Sequence, residues 1–187
     1  YIENQADLLR IVWLLGAFMP ATALFMLYEK KTGHNLLSYF GGIDPYSFVR
    51  DGRIRAQGPY SHPILAGTVG ALYLGWTILV HCTSGRRVRI WDLLIIPSCL
   101  LVIILSSSSG PVLTLLLMLT AYAFFPLRQK MWLVKLSIVL LIIALQLFMK
   151  SDFWYILSRI DLTGSSTGWH RAELITSGLE HFDEWWL

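Results

Sequence analysis

Apolar runs of about twenty residues alternate with short charged joints along this chain. That is the pattern of membrane-crossing helices, not of half-buried strands, which would alternate at every second position. The first run, residues 8–28, is interrupted by Arg10 and Pro20. At 1.5 Å per residue it covers about 31 Å, matching a hydrocarbon core of about 30 Å. Pro20 predicts a kink, since neighbouring helices satisfy the carbonyl it frees. The second run, 63–82, opens on Pro63, a residue suited to a first helical turn, and carries Gly67, Gly70 and Gly75 on a small-residue face. Within it Gly67 and Ala71 form a small-xxx-small pair that favours close helix packing. The third run covers 91–106, the fourth 112–125 up to Pro126, and the fifth 131–149, with Lys135 placed to snorkel. The expected fold class is all-α: a polytopic transmembrane helical bundle of about five spans with no sheet.

After residue 149 the pattern changes. Residues 158–166 are polar and break at Gly164, and from Gly168 an amphipathic stripe of Trp169, Ala172, Leu174, Ile175, Leu179 and Phe182 predicts a helix lying along the bundle surface. The whole of 1–187 therefore reads as a partial transmembrane domain, and 150–187 as the start of a large outer loop. The chain opens on Tyr1 and closes on Trp185-Trp186-Leu187, which reads as an internal piece of a larger protein without a signal peptide.

Composition agrees: 55% of the 187 residues are hydrophobic and 14% charged, against about 25% charged in a soluble domain. Cys82 and Cys99 sit in or beside apolar runs, so neither a disulfide framework nor a thiolate–zinc site is expected. The net charge of +3 comes from residues at the ends of apolar runs, where membrane orientation accounts for them better than nucleic acid does. Arg86, Arg87 and Arg89, with Arg128 and Lys130, crowd two short joints, and their density places those joints in the cytoplasm. Loop 29–62, the serine turn 106–111 and the tail 150–187 then face outward.

The outward side carries more arginine than orientation requires. Arg50, Arg53 and Arg55 lie within six residues, followed by Gly58-Pro59 and by Ser61-His62 as caps for the helix at Pro63. Guanidinium forks beside a helix start suit a phosphate or pyrophosphate. The competing explanations are contact with lipid headgroups and pairing with Asp44 or Asp51. His62 reads as a cap or packing residue before it reads as a base. The serines 106–109 either satisfy their own backbone or form a polar floor to the same outer cavity.

Three stretches together resemble the O-antigen ligase and polymerase family of polytopic glycosyltransferases. They are Arg55-Ala-Gln-Gly58-Pro-Tyr-Ser-His62-Pro63 before a span, Ser107-Ser-Ser-Gly110 before the next, and Ser165-Ser-Thr-Gly168-Trp-His-Arg171 at the start of the outer helix. Ser109 stands where the family commonly has arginine. The resemblance covers about residues 48–187, and the wording of its motifs is closer to capsule or exopolysaccharide polymerases than to ligases of lipopolysaccharide core. It implies inverting, metal-independent transfer of a glycan from a polyprenyl diphosphate carrier to a glycan or lipid-linked acceptor. The place is the outer face of the bacterial cytoplasmic membrane, and no cofactor is required. By that resemblance Arg55 and Arg171 stabilise the leaving diphosphate, with Arg53 in reserve, while Arg50, His62, Ser109 and His170 are candidate substrate contacts. The family's histidine base has no counterpart here, so it is expected beyond Leu187, and this piece alone is expected to be inactive. The rival expectation is a transporter or flippase of lipid-linked sugars. A transporter calls for ionisable residues near the bilayer midplane, and no Asp or Glu lies deep in any run.

Overall fold

The computed structural model describes residues 5–84, 90–159 and 168–185. It is largely helical, with α1 (Gln5–Gly16), α2 (Met19–Thr32), α3 (Pro63–Ser84), α4 (Ile90–Leu105), α5 (Ser109–Phe124), α6 (Met131–Phe148), α7 (Ile156–Arg159), α8 (Gly168–Glu180) and α9 (Phe182–Trp185). Among the described residues three helical segments are long and apolar enough to cross a membrane: Arg10–Thr32, Pro63–His81 and Ser109–Phe148. The helix Asp92–Leu105 is apolar but shorter. The chain is thus of multi-pass membrane type, with three segments that meet the length criterion where the hydropathy pattern predicts five. The fourth and fifth predicted runs join into one 40-residue helical stretch, because Pro126 sits in the first turn of a 3₁₀ segment, Phe125–Lys130, where its missing N–H has no partner to lose.

Pro20 behaves likewise. Instead of kinking one helix, it lies in the first turn of α2, and a two-residue turn at Ala17-Phe18 separates α2 from α1. Gly33 closes α2 in the left-handed conformation, its N–H donating to the Glu29 carbonyl at 2.8 Å.

The expectation of a sheet-free chain is corrected. Strands β1 (Phe48–Arg50) and β2 (Arg53–Arg55) form an antiparallel hairpin in which Phe48 faces Arg55, Val49 faces Ile54 and Arg50 faces Arg53. Its turn is Asp51-Gly52, with φ of 52° and 72°. A two-residue hairpin turn needs positive φ at both central positions to match strand twist, and Asp-Gly is among the best dipeptides for it.

The chain divides into two compact units, Tyr1–Tyr122 and Ala123–Leu187. In the first, α2, α3 and α4 enclose two apolar clusters. One gathers Met19, Ala71, Leu74, Ile95, Cys99 and Ile103, and the other Ala23, Met26, Ala56, Ala66, Val102 and Leu105. The helix contact expected at Gly67 is present: a Cβ there would lie 2.5 Å from Pro111 Cγ and 2.5 Å from Ser106 Oγ, so only glycine fits against the start of α5. At the far end of α3, His81 Nε2 meets the buried Asp92 carboxylate at 2.9 Å.

In the second unit, α8 rests on the segment 153–158. Trp154 Nε1 donates to Thr176 Oγ1 at 3.0 Å, Ala172 is fully buried, and Leu174, Leu179 and Phe182 stay exposed. The helix predicted from the amphipathic stripe therefore forms. The basic joint 86–89, the polar stretch up to Thr167 and the final Trp186-Leu187 lie outside the described residues.

Candidate functional site

The segment between the hairpin and α3 does not run over the surface. Arg55, Ala56, Gln57 and Gly58 are all buried, and Ala56 belongs to the apolar cluster shared by α2, α3 and α4. Irregular backbone inside a helical bundle is tolerated only where its polar groups find partners. Here they do. Ala56 N–H donates to the Leu105 carbonyl at the end of α4 at 3.2 Å. Gln57 N–H donates to both Glu29 carboxylate oxygens at 3.1 Å, and Gly58 N–H to Glu29 Oε2 at 2.8 Å. The Gly58 carbonyl accepts from Asn35 Nδ2 at 2.7 Å, and the Ile54 carbonyl from Lys30 Nζ. Ser47 Oγ completes the carboxylate's set at 3.0 Å.

Glu29 is therefore the anchor of the site. It is fully buried in the last turn of α2, where a helix dipole disfavours negative charge, and three donor groups offset that cost. Nothing in the sequence marks it. An acid just past the end of an apolar run reads as surface, and its partners lie 18 to 29 residues away.

The hairpin then decides where the arginines go. Side chains alternate across a strand, so Phe48, Arg50, Arg53 and Arg55 share one face while Val49 and Ile54 share the other. Arg53 is exposed, Arg50 is half-buried with its Nε 3.7 Å from Asp51, and Arg55 is 8% exposed. Arg55 reaches inward, donating from one terminal nitrogen to Ser108 Oγ, while its Nε has no partner among the described residues. Burial, then the nearby Arg50 charge, push the Arg55 guanidinium below its usual value, with Asp51 opposing. Lys30 adds a fourth cation and donates to Ser107 Oγ.

The serine turn divides its work. Ser106 Oγ donates to the Ile103 carbonyl at 2.7 Å and Ser108 Oγ to the Ser106 carbonyl at 2.9 Å, the self-satisfying arrangement. The same Ser108, with Ser107, also accepts from the cations, so the turn both satisfies its own backbone and meets the basic cluster. Ser109, the predicted contact, instead starts α5, and its place is taken by Ser107 and Ser108. His62 is the helix cap: its Nδ1 accepts from Ile64 N–H at 3.2 Å, and its ring lies 5.4 Å from that of Phe48. Asp44 accepts from Tyr46 N–H at 3.0 Å in its own turn.

Beside the buried segment lies an apolar cavity of about 710 Å³, whose lining includes Phe18, Thr22, Phe25, Tyr60, Tyr73 and Trp76. In the second unit, Arg171 and His170 are exposed in the first turn of α8, the His170 ring 5.4 Å from that of Trp169. Among the described residues no group of His, Cys, Asp and Glu is arranged to hold a metal ion. A comparison with known proteins finds no matching family model, no similar curated protein and no similar solved structure.

Proposed function

We propose that the chain takes part in polymerising or ligating glycan repeats carried on polyprenyl diphosphate, at the outer face of the bacterial cytoplasmic membrane. The observation that carries the reading is one hairpin face bearing Arg50, Arg53 and Arg55, with Lys30 and the hydroxyls of Ser107 and Ser108 beside it. A diphosphate leaving group gains negative charge as the glycosidic bond breaks, and preorganised guanidiniums stabilise that charge as it develops. Arg53 is exposed, and Arg50 is half-buried beside Asp51. Arg55, seated on Ser108, holds its Nε donor in reserve beneath them. The apolar cavity next to Tyr60 suits the prenyl chain of such a carrier, since apolar surface and fixed charge meet within a few residues. Arg171 remains the second diphosphate contact implied by the family resemblance.

Five crossings belong to this reading. The 40-residue stretch measures about 60 Å as helix, enough for two passes if it divides at Phe125–Lys130, and α4 then supplies a short span.

A carrier for the same lipid-linked sugars is the second reading, favoured by the buried His81–Asp92 pair, because ionisable groups inside apolar bundles mark ion pathways. One experiment separates them. Arg53→Ala, Arg55→Ala and Arg171→Ala are introduced separately into the full-length protein in cells, and polymer length and lipid-linked repeats on each side of the membrane are measured. Loss of a transition-state contact lowers polymerisation by about 10²–10³-fold, with repeats accumulating outside. Repeats accumulating inside support the carrier, and unchanged polymer in all three variants defeats the arginine reading.

A further inference from the structure

We infer that Phe48 and His62 form the subsite for the first sugar of the carrier-linked glycan. The inference rests on the diphosphate reading of the arginine face and adds to it the group that lies next along the ligand. In a prenyl diphosphate-linked glycan the anomeric carbon is one oxygen atom from phosphorus, so the first sugar ring must bind directly beside the phosphate.

Register supplies that neighbour. Phe48 is the cross-strand partner of Arg55 and shares its face with Arg50 and Arg53. Residues so paired have Cα atoms about 4.5–5.5 Å apart. The Phe48 side chain is not spent in the core: the residue is 45% exposed, and its ring leans on His62 with centroids 5.4 Å apart and planes tilted by 49°. An exposed aromatic face carries partial negative charge and receives the C–H groups on one side of a pyranose ring.

His62 is fixed by a separate constraint. Its Nδ1 accepts from Ile64 N–H, so in the neutral ring the proton sits on Nε2, at the far edge of the imidazole. The capping bond thus leaves His62 with one outward donor and no free acceptor nitrogen. That suits a sugar hydroxyl or ring oxygen and rules the residue out as a proton acceptor while the cap is intact. His62 accordingly recognises the sugar, and the base role falls elsewhere.

The test uses the full chain in lipid nanodiscs and two probes: a prenyl diphosphate without sugar, and the same carrier bearing one glycan repeat. Phe48→Leu keeps apolar volume but removes the ring, Phe48→Trp keeps a ring, and His62→Asn keeps a capping oxygen but loses the distal donor. Leu and Asn weaken binding of the sugar-bearing probe by about threefold to tenfold and leave the bare carrier unchanged, while Trp stays near the parent. Equal effects on both probes, or none on either, overturn the sugar subsite. The diphosphate reading fails by a different result: a bare carrier that does not bind the parent, or that binds Arg53→Ala as tightly.

Discussion

Replacing Glu29 tests whether the buried segment is held by a carboxylate or merely by apolar packing. In Glu29→Ala the Gln57 and Gly58 amides, both in buried residues, lose their acceptors together. An unsatisfied buried donor costs about 1–3 kcal/mol, so two cost about 2–6 kcal/mol before the cavity is counted. Glu29→Gln is a different perturbation. Its carbonyl can accept from both amides, and its NH₂ can donate to Ser47 Oγ, which turns from donor to acceptor. The neutral amide also avoids the desolvation of a buried carboxylate, so the net change is expected to be about 1 kcal/mol or less. Hydrogen–deuterium exchange over residues 55–60 reads local opening directly. At 1.4 kcal/mol per factor of ten, even the lower bound of about 2 kcal/mol makes exchange in Glu29→Ala roughly 30-fold faster, with Glu29→Gln close to the parent. Equal protection in all three proteins would show that Glu29 does not anchor the segment. Equal loss in Ala and Gln would assign the effect to charge and refute the hydrogen-bond account.

Two further outcomes are expected from the bundle. Gly67→Leu drives a side chain into Pro111 and Ser106, and should lower thermal stability in detergent by at least the 1–3 kcal/mol usual for overpacking, while Leu72→Ala, at an exposed position on the same helix, should not. His81→Leu removes a hydrogen-bond partner of the fully buried Asp92 carboxyl group and should cost about 1–3 kcal/mol, whereas the double change His81→Leu with Asp92→Leu should recover most of that loss; a double variant no more stable than the single one would deny the pairing.

The helices of the bundle were legible because hydropathy alone fixes them. The second run begins at Pro63 in sequence and structure alike, and α4 and α6 begin within one residue of their predicted starts. Prolines misled, because a proline that breaks a helix and one that begins the next look identical along a chain. Pro20 and Pro126 both proved to be first-turn residues. The hairpin was legible in principle: Asp51-Gly52 lies between Val49 and Ile54 with apolar alternation on either side, but three-residue strands are too short to stand out against apolar runs many times longer. Three arginines in six residues marked the basic hairpin, yet its register puts all three on one face and only the path of the chain decides which is buried. Arg55 is buried and Arg53 exposed because the last residue of β2 leads into the bundle. Glu29 and Asp92 carried no signal at all. Burial of an acid depends on partners far away in sequence, and composition cannot register them. Glu29 and Asp92 are thus acids buried in the bundle, the feature whose lack in the apolar runs speaks against a transporter.

The arrangement also explains why so basic a hairpin is tolerated. Two strands of three residues are marginal by themselves, and Arg50 opposite Arg53 sets like charges across the ladder, which weakens it further. The hairpin persists because both of its ends are tied down: Ser47 to Glu29 before β1, and Gln57 and Gly58 to the same carboxylate after β2. Glu29 thus lends the loop its rigidity without neutralising the arginine face, since its oxygens are occupied by amides and a hydroxyl. Asp51, 3.7 Å from Arg50 Nε, offsets part of that repulsion and leaves the face net basic. On the diphosphate reading, a bound anion would offset the repulsion that remains among the guanidiniums. Anion binding should therefore stiffen the hairpin as well as occupy it, and anything that loosens the Glu29 anchor should weaken the anion site without touching a single arginine.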